Sequence, residues 1–267
     1  MSAQVLTVTS GKGGVGKTTV TANLATALAM DGHKVTAIDA DIGLRNLDVV
    51  MGLENRIVYD LVDVVEGRCR LRQAMIKDKR QPELYLIPAA QTRDKTAVSP
   101  SDMVLLCDQL RQEMDYVIID SPAGIERGFR NAVAPADQIL VVTNPEVSAV
   151  RDADRIIGLI EAEEKGPGHL ILNRVKPEMI QRGEMLSIND VLDILAVELL
   201  GVIPEDERIL VASNQGLPLV MHGVNGSSAG QAFRDLARRL NGEVVPFMEL
   251  GAKPRLMDRV RSWMIGN

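Results

Sequence analysis

The chain reads as one α/β domain, a mostly parallel twisted sheet with helices on both faces, followed by a separate C-terminal amphipathic helix. Three observations predict this. Seven short strand-forming runs alternate with helical stretches, the order produced by right-handed crossovers in a parallel sheet. The runs are continuously apolar, as strands buried on both faces are. No Pro/Gly/Ser-rich linker or internal repeat divides residues 3–241. The expected boundaries are therefore a domain at 1–241, a connector at 242–252 and a terminal helix at 253–267.

The strand runs are VLTVTS (5–10), KVTAID (34–39), LYLIPA (84–89), YVIID (116–120), QILVVT (138–143), HLILNR (169–174) and ELLGVI (198–203). Helices are expected at 17–31, 100–114, 147–164, 187–196 and 227–240.

Composition narrows the class. With 46% hydrophobic and 25% charged residues over 267 positions, the chain has too many apolar groups for disorder and no collagen-like bias. Aromatics make up only 3%, so the core must be aliphatic. Cys69 and Cys107 form no CxxC pair, which fits a reducing cytosol better than an oxidised scaffold. Residues 1–9 lack a basic start and a long apolar core, so no signal peptide is expected, and no run approaches the roughly 20 apolar residues that span a bilayer. A net charge of −6 argues against a bulk nucleic-acid binder. Residues 253–267 carry Lys253, Arg255, Arg259 and Arg261 against Asp258, a net +3, which leaves −9 for the rest.

Gly11-Lys12-Gly13-Gly14-Val15-Gly16-Lys17-Thr18 satisfies G-x-x-x-x-G-K-[ST] between the first strand and the first helix. Glycines let backbone N–H groups close around phosphate, and the helix N-terminus adds its positive end. Lys17 is placed to reach the β- and γ-phosphates, and Thr18 to coordinate Mg²⁺, with Thr19 beside it. Lys12 is a second lysine inside the loop; it is either solvated or meets the phosphate of a nucleotide held by another subunit.

Asp39 and Asp41 follow the second strand, and Asp120 ends the fourth. Ligands of parallel sheets bind beyond strand C-termini, so all three carboxylates should face the loop. One should hold Mg²⁺, usually through water, and one should position an attacking water. Asp39 and Asp120 are the candidates for the metal, with Thr18. His33, His169 and His222 are not spaced as a zinc set. Neither cysteine looks catalytic: Cys107 should pack within a helix, and Cys69 should lie in a loop.

With DADIGLRNLD (39–48) and DSPAGIE (120–126), the loop resembles that of the deviant Walker A ATPases, and within them the bacterial MinD division-site ATPases. The similarity extends to ILNRV (171–175), GVIPED (201–206) and the basic C-terminal helix. It implies an ATP- and Mg²⁺-dependent ATPase in which Lys12 crosses a homodimer, Asp41 orients the hydrolytic water and Asp120 supports Mg²⁺. It also implies that Asn173 reads adenine, with the backbone of Pro204, Glu205 and Asp206 closing over the base. Arg151, Asp152 and Asp154 would face partners: a MinC-type division inhibitor and a MinE-type ATPase activator.

In PRLMDRVRSWMI (254–265), Leu256, Met257, Val260, Trp263 and Met264 share a helical face of roughly 120°, with Arg259 and Arg261 at its edges. The arginines can snorkel toward anionic headgroups while the apolar groups enter the interface. The expected location is cytoplasmic, and peripheral on the inner face of the membrane in the ATP state. Two other classes share the loop. A DNA-partitioning ATPase would need a basic dimer surface, which the acidic body disfavours. An iron–sulfur electron-transfer protein would need cluster cysteines, and Cys69 and Cys107 lack the expected glycine-rich surroundings.

Overall fold

A computed structural model describes residues 3–94, 96–165, 168–222 and 227–248. The helix expected at 253–267 and residues 249–252 of the connector lie outside the described residues.

Strand β1 (Gln4–Thr9) leads through the glycine loop into α1 (Lys17–Met30), and β2 (Val35–Asp39) follows. Short helices α2 (Leu47–Val50), α3 (Leu61–Val65) and α4 (Leu71–Ala74) precede β3 (Ile76–Lys77) and β4 (Leu84–Ile87). Next come α5 (Pro100–Leu110), β5 (Tyr116–Asp120), α6 (Arg127–Val133), β6 (Gln138–Thr143) and α7 (Val147–Ala162). The remainder is β7 (His169–Val175), α8 (Pro177–Gln181), α9 (Ile188–Leu195), β8 (Glu198–Pro204), α10 (Glu207–Asn214) and α11 (Ser228–Leu240).

The described strands form one eight-stranded sheet in the order β3-β4-β2-β5-β1-β6-β7-β8. Every pairing is parallel except β3 with β4. From β1 the chain moves outward to β2 and β4, returns to β5, and then builds the other half through β6, β7 and β8. That reversal beside β1 opens a crevice at the strand C-termini, where ligands of open α/β sheets bind.

Alternation along the central strands feeds two apolar layers. Leu6 and Val8 pack with Leu24 and Leu28 of α1 and with Phe233 and Leu236 of α11. Val5 and Ile119 pack on the opposite face with Leu106 and Leu110 of α5. There too, Ile139 and Val141 meet Ile156 and Ile160 of α7. Helix α1 is buried almost all round, with Ala22, Ala25 and Ala29 keeping it slim. Gly201 of β8 lets α11 approach closely: a Cβ there would lie 2.4 Å from Leu236 Cδ2.

Helix boundaries follow capping chemistry. At α5, Ser99 and Asp102 form a capping box with Pro100 in the first turn. The helix stops at Leu110, short of the expected 114, and Arg111 turns to Asp137 (2.7 Å) and the Ala3 carbonyl (2.6 Å). Beyond α11 the connector follows the body. Arg239 donates to the Val245 and Pro246 carbonyls at 3.1 and 3.0 Å and lies 4.3 Å from the Phe247 ring centroid. No described helix is long and apolar enough to cross a membrane.

Candidate functional site

The glycine loop sits at the centre of the crevice. Gly14 and Gly16 have φ of 81° and 101°, which curl the loop into the start of α1. Gly16 is the N-cap of α1 and supplies no side-chain acceptor. The first N–H groups of a long helix therefore face the loop's concavity, an arrangement that attracts anions. Lys17 is buried, whereas Lys12, Gly13 and Gly14 are exposed. Helix α7 packs against the loop so closely that a Cβ on Gly11 would lie 2.1 Å from the Asp152 carbonyl oxygen. Lys12 Nζ donates to Ser148 Oγ on the same helix, at 3.3 Å. On α7, Asp152 is half-buried, and Arg151 and Asp154 are exposed.

The carboxylates arrive from neighbouring strands. Asp39 and Asp120 are register partners at the ends of β2 and β5, and both are buried. Asp120 accepts hydrogen bonds from the Thr18 hydroxyl at 2.7 Å and the Thr21 hydroxyl at 3.2 Å. Asp39 accepts from the backbone N–H groups of Asp41, Asn46 and Leu47 at 3.0, 3.0 and 3.1 Å. Its first task is thus to shape the 41–47 loop that carries Asp41. Burial, then the charge of Asp120, raises the Asp39 carboxyl above the ordinary carboxylate range. Burial also raises Asp120, opposed by the Lys17 charge and the two threonine hydroxyls. Two buried acids that resist ionisation together suit a cation between them. Among the described residues no three His, Cys, Asp or Glu side chains converge as a complete metal cage. A Mg²⁺ site completed by phosphate oxygens and water needs none.

At the other end of the crevice, Asn173 near the end of β7 donates from Nδ2 to the Val15 carbonyl at 2.7 Å. Its Oδ1 is buried without a hydrogen-bond partner among the described residues. Pro204 ends β8 and is buried, and the Glu205 N–H donates to the Val175 carbonyl at 3.0 Å. Asp206 caps α10 and accepts from Arg208 and the Ser227 hydroxyl, so its carboxylate is held by the protein. Beside this end an open groove of about 680 Å³ is bordered by Glu146, Arg174, Lys176 and Glu205.

Thr19 lies in the first turn of α1, its carbonyl accepting from the Asn23 amide. Sequence reasoning missed Thr21 and Asn144. Thr21 stands one turn beyond Thr18, a spacing that places both on one helix face. Asn144 follows β6, and the strand-end argument applied to the aspartates would have found it. Cys107 is packed inside α5 and burial pushes its thiol up to about 12. His33 stacks edge-on against Tyr116, away from the crevice.

Comparison with known proteins shows the family. The family model "CobQ/CobB/MinD/ParA nucleotide binding domain" matches residues 6–219. The septum site-determining protein MinD of Synechocystis is 54% identical, over 98% of this chain and 99% of its own. Among solved structures, the MinC:MinD cell division complex of Aquifex aeolicus superposes with a TM-score of 0.86 at 50% identity, covering 93% of this chain and 100% of the other. MinD of Pyrococcus horikoshii, solved with Mg-ADP, superposes with a TM-score of 0.79 at 31% identity, covering 90% and 96%. With a phosphate loop at the switch point and full-length similarity of this degree, the chain belongs to the CobQ/CobB/MinD/ParA nucleotide-binding family, on its MinD branch.

Proposed function

We propose that this chain is an ATPase switch that dimerises with ATP, cycles on and off the membrane and helps to position the division septum by bringing a MinC-type inhibitor to the membrane. The observation that carries this reading is the contrast between the two loop lysines. Lys17 is buried beside Asp120, whereas Lys12 is exposed, with its ammonium on Ser148 at the surface of α7. An exposed cation on a phosphate loop is suited to a nucleotide in a second copy of the chain.

The residues present fit ATP and Mg²⁺. The unpartnered Asn173 Oδ1 is an acceptor that matches the 6-amino group of adenine and opposes the 6-oxo group of guanine. Backbone from Pro204 to Asp206 would border the base. Mg²⁺, once bound, neutralises phosphate charge in the reaction. Thr18 would hold it directly, with Asp39 and Asp120 acting through water. Lys17 grips the β- and γ-phosphates, the loop N–H groups fix their orientation, and Asp41 orients the attacking water.

Residues 253–267 would read out the assembly state. One basic amphipathic helix binds an anionic surface weakly, at about 1 kcal/mol per basic residue plus its apolar contribution. Two on one dimer bind far better, because the second insertion is effectively intramolecular. Exposed Arg151 and Asp154, with Asp152, would contact a MinC- or MinE-type partner; the Aquifex relative was solved as a MinC:MinD complex. No nucleic-acid partner is expected of so acidic a chain.

The test is ATP hydrolysis with and without anionic vesicles, comparing the full chain with residues 1–252. Vesicles are expected to stimulate the full chain several-fold and leave the truncated chain at its basal rate. Equal stimulation of both would remove the terminal helix from the account.

A further inference from the structure

We infer that Asn144 is a positioning residue for the phosphate cradle: with Asn173 it clamps the Val15 carbonyl and so aims the Gly16 N–H at bound phosphate. The inference rests on the phosphate-loop reading and adds a residue to it.

The Val15 carbonyl is approached from two strand ends. Asn173 Nδ2 lies 2.7 Å from it. One terminal atom of the buried Asn144 amide lies 3.2 Å from the same oxygen and 3.2 Å from the Asn173 carbonyl oxygen. An atom facing two acceptors must be the amide nitrogen. The residue is itself held in place, since its own carbonyl accepts from the Glu146 N–H at 2.8 Å.

The consequence follows from peptide geometry. In a trans peptide the C=O and the next N–H point in opposite directions across one plane. Pulling the Val15 carbonyl toward the asparagines therefore turns the Gly16 N–H away from them, into the loop's concavity. Gly16 has φ of 101° and no Cβ, so its own conformation does little to hold that plane. The orientation has to be imposed from outside, by the ends of β6 and β7. A flipped plane would present a carbonyl oxygen to phosphate and turn an attractive group repulsive.

The experiment uses the full chain with Mg-ADP. Affinity is measured with a fluorescent ADP analogue, the fold by melting temperature without nucleotide, and the cradle by the Gly16 amide resonance. Asn144→Ala is expected to weaken ADP binding about five- to tenfold, the scale of one lost hydrogen bond. Its nucleotide-free melting temperature should fall by only about 2–4 °C, the scale of one lost buried hydrogen bond in a chain of this size, and the ADP-induced shift of the Gly16 amide should shrink. Affinity within twofold of the parent overturns the inference, as does a loss of affinity with the Gly16 shift intact. If the variant does not fold, the parent decides. Its Asn144 side-chain amide should be protected from exchange in the ADP complex, and free exchange overturns the clamp. A parent that binds no ADP overturns the phosphate-loop reading and the clamp with it.

Discussion

Asp120→Asn is expected to abolish most ATP hydrolysis, by about 10²- to 10³-fold, while making the nucleotide-free protein more stable. The side chain is fully buried and shares its strand register with Asp39. Even with Lys17 and two threonine hydroxyls in its favour, its carboxyl is raised above the ordinary range by burial. A raised folded-state value means that ionisation opposes folding. The pair's favourable contribution is therefore complete at low pH and is lost as pH rises through the folded-state value. Nucleotide-free wild type should gain stability from this pair as pH falls from about 8 to about 5, and the variant should show a flatter profile. Removing the charge with a side chain of the same shape should add about 1–3 kcal/mol near neutral pH. That corresponds to roughly 2–10 °C in melting temperature. Calorimetry beside a phosphate-release assay checks both halves, and a variant that is both inactive and destabilised would contradict this electrostatic account.

Gly16→Ala is expected to destroy nucleotide binding and lower the melting temperature, whereas Gly13→Ala should leave the nucleotide-free fold unchanged. At Gly16 a Cβ would lie 2.2 Å from Asn173 Nδ2, on backbone with φ of 101°. Relief requires expelling the buried Asn173 amide from the Val15 carbonyl or flattening the loop, and either undoes the cradle. Backbone strain alone contributes about 1–3 kcal/mol. At Gly13 nothing lies within 4 Å of the added carbon. Melting curves and ADP titrations of the two variants should diverge, with more than tenfold weaker binding at Gly16; matched behaviour would mean that the loop is not held as described.

What the sequence made legible is what local chemistry determines. The seven long strands, the loop and the cores of five helices lie within a residue or two of their expected positions, apart from the early stop of α5. Helix α1 was found through the motif, because a helix buried on nearly every side has no polar face to reveal it. Two-residue β3 and the short helices α2, α3, α4, α6, α8 and α10 are too brief for periodicity to register. Sheet order, and with it the pairing of Asp39 with Asp120, depends on contacts distant in sequence. Asp39 and Asp120 were legible as strand ends and Asp41 as a residue just beyond one, but the work of Asp39 in folding the 41–47 loop was not. Nor was the role of Asn144: its place just after β6 can be read from the sequence, but the Val15 carbonyl it meets lies in the loop after β1.

The proposed switch requires that nucleotide state decide whether the chain holds the membrane. Its most direct test is co-sedimentation of the full chain with anionic vesicles in ATP and in ADP. A vesicle-bound fraction is expected in ATP and little in ADP, with binding lost when residues 253–267 are removed. Equal binding in the two nucleotides would contradict it.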